Sequence, residues 1–404
     1  MRKVLSGVRI LDFTDALSGP FCTRYLADCG CEVISIEKPG GKMTRAIPYF
    51  HQGQAVDYLY NHCGKKSIVI DLKNPKAYDL IMRFAKECDV VVENFRPGVM
   101  KEYGFDYDSF KKVNPKIIMC SISGWGQTSP KAELMAADLS VQSQSGILDL
   151  TGDPDGPPSL VGFPVTDILG GLNAFGAICA ALYRRTISGE GDYIDISMLD
   201  TAFATLHMAT GMHLLSEGKD ELHRAGRLNA SGMSAWGIYK GRDGYIAISA
   251  ATKVGWERLA NIMGKPELAD DPRFNTQALR FKNNKEVTDI IEAWLKDNEM
   301  TTSEVASLLQ SYRMQSVPVL SVAQLIDGDE HFKQSGMLKE LEHGTLGKVK
   351  FINSPLKYRN SGASADDPPP ANAGDHTEYI LQTVLKMGKD DISELKKAGV
   401  VAGK

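Results

Sequence analysis

Short runs of β-branched and apolar residues, each followed by a helix-like segment, recur through the first 125 residues, and this alternation limits the fold more than any other feature. The runs are VRILDF (8–13), EVISIEK (32–38), KSIVIDL (66–72), DVVVENF (89–95) and KIIMCSISG (116–124). Between them, PFCTRYLADCG (20–30) reads as a helix ending at Gly30, and PKAYDLIMRFAKEC (75–88) starts with proline at a helix entrance. Near-continuously apolar strands that alternate with helices belong to a parallel sheet covered on both faces. The expected fold class is α/β, with a Rossmann-like large domain. Its first turn, TDALSGP (14–20), is not the G-x-G-x-x-G fingerprint, so a nicotinamide or flavin cofactor is not expected. Ligands should still gather at the carboxyl ends of the strands, where the loops DALSGP, IEKPGG, ENFRPG and SISGWGQTSP fall.

A chain of 404 residues is too long for one ordinary core. FPVTDILGGLNAFGAICAALYRR (163–185) reads as an apolar helix, and residues 191–218 as a strand and a long helix. KDELHRAGRLNASGMS (219–234) is polar and irregular, a linker. DGYIAISA then has strand character, and VGWERLANIMG, KEVTDIIEAWLKDN and TSEVASLLQSYR are amphipathic helices. The expected organisation is an N-terminal part of the large domain over 1–220, a small α+β domain over 221–330, and a return to the large domain over 331–404. A proline-rich connector after residue 366 feeds the final helical segment.

Net charge is −4 with no basic block, which argues against a nucleic-acid or lipid-surface partner. The start, MRKVLSGVRILDF, lacks the apolar core of a secretory leader, and no run reads as a membrane span. Seven cysteines, all in the first half, form no ligand pattern with clustered histidines, so no metal is expected. These features together set the expectation of a cytoplasmic protein with reduced thiols that acts on a small molecule.

Local physics gives Asp167 a modest role. An aspartate in the first turn satisfies free N–H groups and complements the helix dipole, worth about 0.5–2 kcal/mol. Behind it stand Gly170, Gly171 and Gly176, each costing a helix about 1 kcal/mol relative to alanine, so something requires close backbone approach. That neighbour is either a packed element or a ligand. A carboxylate on such a surface is also a possible covalent nucleophile. Lys73, Arg96 and Lys101 follow predicted strands and can hold phosphates, or stand as solvated charges. Trp125 reads as packing.

A set of ordered blocks carries more. LSGPFCTRYLADCGCEVISIEKPGG, KKSIVIDLK, VVVENFRPG, NPKIIMCSISGWGQTSP, LTGDPDGPPSLVGFPVTDILGG, YIDISMLD, ELADDPRF and the tail HTEYIL…ISELKKAGVV follow one another in sequence. With these blocks the chain resembles the family III CoA-transferases, the CaiB/BaiF family, over essentially its whole length. The resemblance implies transfer of coenzyme A from an acyl-CoA donor to a small free carboxylic acid. The family's nucleophilic aspartate falls on Asp167, which would form a mixed anhydride and then an aspartyl-CoA thioester. The glycines behind it would admit the pantetheine thiol. The family's CoA-binding positions carry over to Leu17 and Ser18, to Lys38 near the adenine, to Ile70, Asp71, Leu72 and Lys73, and to Asn94, Phe95 and Arg96. Met135, Ala136 and Ala137 match a segment along the pantetheine arm. Formyl-CoA and carnitine CoA-transferases have an arginine where this chain has Glu102, and Lys101 is the candidate replacement. Asp138 matches an acidic position near the substrate, and Ser231, Gly232, Met233 and Ser234 match a substrate loop that lacks the glycine run of formyl-CoA transferase. The family also implies two chains threaded through each other as linked rings, an interlocked homodimer. The alternative on the same fold is an α-methylacyl-CoA racemase, which needs histidine where this chain has Ala137.

Overall fold

A computed structural model describes residues 2–404. The chain separates into two compact units. The larger comprises residues through Ser145, Gly162–Thr205 and Glu330–Lys404, and the smaller comprises Gly146–Val161 and Leu206–Asp329.

The larger unit is built on six parallel strands: β1 (Arg9–Asp12), β2 (Glu32–Glu37), β3 (Lys65–Ile70), β4 (Val90–Glu93), β5 (Ile118–Ser123) and β6 (Asp192–Ser197). A short antiparallel strand, Val401–Ala402, closes one edge beside β3. The order across the sheet is β3-β2-β1-β4-β5-β6. Because β1 pairs with β2 on one side and β4 on the other, the chain reverses its direction of travel between β1 and β4. Loops leaving two such strands diverge, which opens a crevice at their carboxyl ends. The helices that matter for the site are α1 (Ser18–Asp28), α2 (Ala77–Glu87), α3 (Asp138–Ser145) and α4 (Val165–Ser188).

The apolar runs of the sequence become strands within a residue or two of their expected limits, because both faces are covered. Leu11, Ile34, Ile68, Val91 and Met119 project toward α2, where Leu80, Ile81 and Phe84 meet them. The opposite face receives α1 and α4, which also pack on each other. The 24-residue α4 is long and apolar enough to cross a membrane by length and composition, which corrects the expectation that no run reads as a span. It packs against α1, β5 and β6, with Gly170, Gly171, Ala174, Ile178 and Leu182 buried.

The smaller unit departs from expectation at its start. The long helix expected after residue 197 breaks at Leu206 into Met198–Thr205 and His207–Leu215, and the unit begins there instead of at 221. It also takes in Gly146–Val161: Arg224 donates to Asp149 (3.2 Å) and the Gly226 N–H to the Gly152 carbonyl (2.9 Å). Tertiary hydrogen bonds draw that loop out of the surrounding sequence. A three-stranded antiparallel sheet (Trp236–Lys240, Tyr245–Ser249, Gln315–Pro318) packs its helices around Trp256, Phe274, Ile291 and Leu309.

All seven cysteines are free and six are buried. Burial pushes the Cys29 and Cys63 thiols up to about 11, away from reactivity at neutral pH. Among the described residues no group of histidine, cysteine or carboxylate side chains is arranged to hold a metal.

Candidate active site

The crevice at the switch point is fixed by hydrogen bonds between its loops. The Asn94 side chain, after β4, accepts from the Asp15 N–H (2.9 Å) and donates to the Asp15 carbonyl (2.7 Å). The Asp15 carboxylate in turn accepts from the N–H groups of Met43 (2.7 Å) and Thr44 (3.3 Å) on the segment after β2. Ala16 follows at φ +58°, a left-handed conformation that costs a non-glycine residue about 1–3 kcal/mol and persists only when its surroundings impose it. Below the loop lie buried charges. Lys65 stands 3.3 Å from the Asp12 carboxylate and donates to the Pro20 carbonyl (3.0 Å), while Lys42 donates to the Thr14 carbonyl. Asp12 also accepts from the Thr14 N–H and hydroxyl (2.9 and 2.5 Å) and from the Thr23 hydroxyl (2.9 Å). The start of α1, with Ser18 at its first position, is thereby held on both sides.

Asp167 faces this scaffold from the first turn of α4. The capping role open to it on local grounds belongs to another residue. Asp138, at the start of α3, accepts from the Thr166 N–H (2.9 Å) and hydroxyl (2.7 Å) through one oxygen and from the Gln142 amide (2.6 Å) through the other. A carboxylate from a different helix therefore satisfies the free N–H beside Asp167. Burial lifts the Asp167 carboxyl to about 6, the nearby Asp138 charge adds to the rise, and the Ser18 hydroxyl and N–H pull against it by hydrogen bonding. A cavity of about 280 Å³ opens over Asp167, lined also by Ser18, Asn94, Phe95, Arg96 and Asp138.

Packing gives two of the glycines behind Asp167 a reason of their own. A Cβ on Gly171 would stand 2.6 Å from the Ser18 carbonyl and 3.3 Å from Phe21, and one on Gly170 would stand 3.0 Å from Met198. Their close neighbours are the backbone of α1 and a core side chain. Gly176 has nothing within 4 Å.

Of the residues singled out in the sequence, Ser18, Asn94, Phe95, Arg96, Ala136, Ala137 and Asp138 gather with Asp167 in this cavity. Leu17, Lys38, Met135 and the segment Ile70–Lys73 do not line it. Ile70 is wholly buried in the core and Leu72 packs against it, so their side chains serve packing. Asp71 accepts from the Lys73 N–H (3.0 Å), and the Lys73 and Lys38 side chains are exposed. Asn94 braces Asp15, and Asp138 holds Thr166 and Gln142, so both side chains have structural roles at the cavity. Arg96 donates to the Glu133 carbonyl (3.2 Å) at the rim. Lys101 lines a separate cavity, and neighbouring Glu102 is exposed. Ser231, Gly232 and Met233 form a loop of the smaller unit whose Asn229 accepts from the Ser231 and Met233 N–H groups (2.9 and 3.3 Å). Ser234 is wholly buried, donating to Asn284 (2.7 Å).

Ala16, Met43, Trp125 and Met198 line the cavity without having been marked as site residues. Trp125 does pack as expected, with its N–H donating to the Leu134 carbonyl (3.2 Å), and in doing so forms a wall. The available signal was position: all four follow strand ends in a parallel sheet.

The family model for CoA-transferase family III matches residues 5–377. This chain belongs to CoA-transferase family III. A succinyl-CoA:glutarate CoA-transferase of Mus musculus is 35% identical to this family member over 99% of the chain and 90% of the relative. A formyl-CoA:oxalate CoA-transferase of Streptomyces coelicolor is 30% identical over 99% of each. The crystal structure of a CaiB/BaiF family protein from Brucella suis superposes with a TM-score of 0.85 at 29% identity, covering 95% of this chain and 100% of that one. The chain is a CoA-transferase with the mixed α/β fold and parallel central sheet of the CaiB/BaiF proteins.

Proposed function

We propose that this family III enzyme moves CoA from an acyl-CoA to a small free carboxylic acid by covalent catalysis on Asp167. The observation that carries the reading is the setting of that carboxylate: raised to about 6, it stays ionised at neutral pH while being more basic than an exposed aspartate. One Asp167 oxygen attacks the thioester carbonyl carbon, the C–S bond breaks, and CoA leaves as thiolate with the bonding pair. The product is an acyl-aspartyl anhydride. The thiolate then attacks the aspartyl carbonyl carbon and expels the donor acid as a carboxylate, leaving an aspartyl-CoA thioester. The acceptor carboxylate repeats the two steps in reverse and regenerates Asp167. No proton is gained or lost overall. Ser18 holds the nucleophile through its hydroxyl and N–H, and the charge of Asp138 keeps it basic.

A small dicarboxylic acid is the acceptor class we infer, in keeping with the relatives named for glutarate and oxalate. The loop over Ser231–Met233 lacks a glycine run, which weighs against the formyl/oxalate pair. The working unit in this proposal is a homodimer: α4 leaves Leu172, Tyr183 and Ile187 exposed, apolar side chains of the kind that an interface covers. Sedimentation at nanomolar concentration checks it, and a monomer peak contradicts it. A racemase would need a second base at position 137, and Ala137 has no titratable group.

The decisive experiment supplies an acyl-CoA and then hydroxylamine or borohydride, and reads the mass of the peptide that contains Asp167. A changed mass at that residue is expected. Transfer with no modification at Asp167, or rapid α-deuteration of a 2-methylacyl-CoA without acceptor, overturns the reading.

A further inference from the structure

A second cavity, of about 330 Å³, lies on the opposite face of the sheet from Asp167. Side chains alternate along a strand, and the register pairs Glu93 with Ser121 and Ser121 with Asp195, so these three share one face at the carboxyl ends of β4, β5 and β6. Ile122, which meets Gly170 of α4, projects from the other. The cavity floor is therefore polar at the end of an apolar core. Glu93 is 3% exposed and accepts from the Phe95 N–H (2.8 Å). Ser121 bonds Glu93 and accepts from the Tyr193 hydroxyl (3.1 Å). Burial lifts the Glu93 carboxyl to about 7, the Ser121 and Phe95 hydrogen bonds lower it, and Asp195 raises it again. Nothing in the transfer chemistry uses this group.

Two further features point to a ligand. The Gln127 side chain lines the cavity, and its amide nitrogen is buried with no hydrogen-bond partner. An unpaired buried donor costs about 1–3 kcal/mol, a penalty that an incoming acceptor would remove. At the mouth stand Arg96 and Lys101, and Met100 and Met119 contribute apolar wall. The donors that face the cavity are thus the Gln127 amide, the Lys101 and Arg96 cations, the latter also bonded to the Glu133 carbonyl, and a Glu93 carboxyl that is protonated below about pH 7. Set against them are the carboxylates of Asp106 and Asp108.

We propose that this cavity is a second binding site for a short free carboxylate, separate from the transfer site over Asp167. The ligand's carboxylate accepts from the Gln127 amide and shares the Glu93 proton in an acid–carboxylate hydrogen bond, the strong charge-assisted kind. Its methylene chain lies against Met100 and Met119, and a second carboxylate, where present, meets Arg96 and Lys101. A phosphate dianion suits the site less well, since it would concentrate two charges beside Glu93 where a dicarboxylate spreads them over two ends. Arg96 alone lines both cavities among the described residues, so an occupant here acts on the transfer site by drawing on the same guanidinium. The ionisable groups that face Glu93 are Asp195 and Tyr193 on β6 and, across the cavity, Arg96, Lys101, Asp106, Tyr107 and Asp108.

The test is calorimetric titration of the full-length protein with succinate, in the absence of CoA, at pH 6 and pH 8. Asp167→Ala should retain succinate binding at this cavity, whatever acceptor binding it loses at the transfer site. Gln127→Leu should weaken binding roughly tenfold, the size of one lost hydrogen bond to a charged group. Affinity should fall from pH 6 to pH 8 as Glu93 ionises, and Glu93→Gln, which keeps a neutral donor, should remove that dependence. No succinate binding, equal affinity in Gln127→Leu, or a loss confined to Asp167→Ala each overturns the proposal. Displacement of succinate from the Asp167→Ala protein by dephospho-CoA and CoA alike, with Gln127→Leu impairing CoA binding, assigns the cavity to the cofactor and also overturns it. Because no turnover is measured, failure here leaves the transferase reading standing, and failure of transfer leaves this site standing.

Discussion

Asp12 and Asp167 are aspartates of the larger unit, the first wholly buried and the second half-buried, and their carboxyls are shifted in opposite directions. Burial works to raise Asp12, yet Lys65 at 3.3 Å, then Lys42 and the Thr14 hydrogen bonds, outweigh it and hold the carboxyl below its ordinary value. At Asp167 burial prevails, with Asp138 adding to it and only the Ser18 hydrogen bonds opposing, and the carboxyl rises to about 6. The difference lies in the neighbours. A lysine partner turns a buried carboxylate into a structural strut, and a carboxylate neighbour turns it into a base. The signs for stability also differ. Asp12 stabilises the fold above the ordinary aspartate range and loses that contribution as pH falls through its lowered value. Asp167 holds a proton in the folded chain where the unfolded chain has released it, so its contribution to stability falls as pH rises from about 4 to about 6.

The largest effect expected on the functional side is from Asp167→Ala, which should reduce transfer on the order of 10³-fold or more while CoA still binds, as removal of a covalent nucleophile does. A variant that keeps most of its activity would return Asp167 to the same class as Asp12. On the structural side, Lys65→Met leaves the Asp12 charge buried without its partner and should cost about 3–5 kcal/mol, read from the urea midpoint. A loss under about 1 kcal/mol would mean that Lys42 alone suffices, and the strut reading would weaken. Between the two lies Gly171→Ala. Its methyl group meets the Ser18 carbonyl at 2.6 Å and should cost about 1–3 kcal/mol in stability while lowering kcat by shifting Ser18 from Asp167. Loss of stability with an unchanged kcat would separate Ser18 from the chemistry. The smallest effect is from Asp138→Asn. Removing that charge should lower the Asp167 pKa from about 6 toward the ordinary carboxylate range, and the acidic limb of the kcat/KM profile should move down with it. An unmoved limb would mean that burial by itself sets the base.

Much of the larger unit is legible in the residue order because its signal is local and repeated. β-branched runs bounded by glycine, proline and polar residues fix where strands begin and end, and the helices between them require parallel crossovers. The loops at the strand ends were legible for the same reason, and the cavity over Asp167 draws on three of the four marked in the sequence. The break at Leu206 was not legible, since the residues on either side are equally apolar and both favour helix. The burial of Ser234 was not legible either, because a serine in a polar stretch carries no mark of it. Its partner Asn284 lies fifty residues away.

The sequence by itself determined the alternating parallel architecture, the position of Asp167 at the head of an apolar helix, and membership of the CoA-transferase family through the ordered blocks around it. Only the tertiary structure decided what the neighbouring residues do. It made Asp138 the cap of a helix it does not belong to, turned Gly171 into the contact between α4 and the Ser18 backbone, and engaged Asn94 as a brace across the switch point. Local sequence records periodicity and backbone preference, which act over a few residues. The charge state of a buried carboxylate depends on which groups stand within a few ångströms, and in this chain those groups come from helices and loops far apart in the sequence.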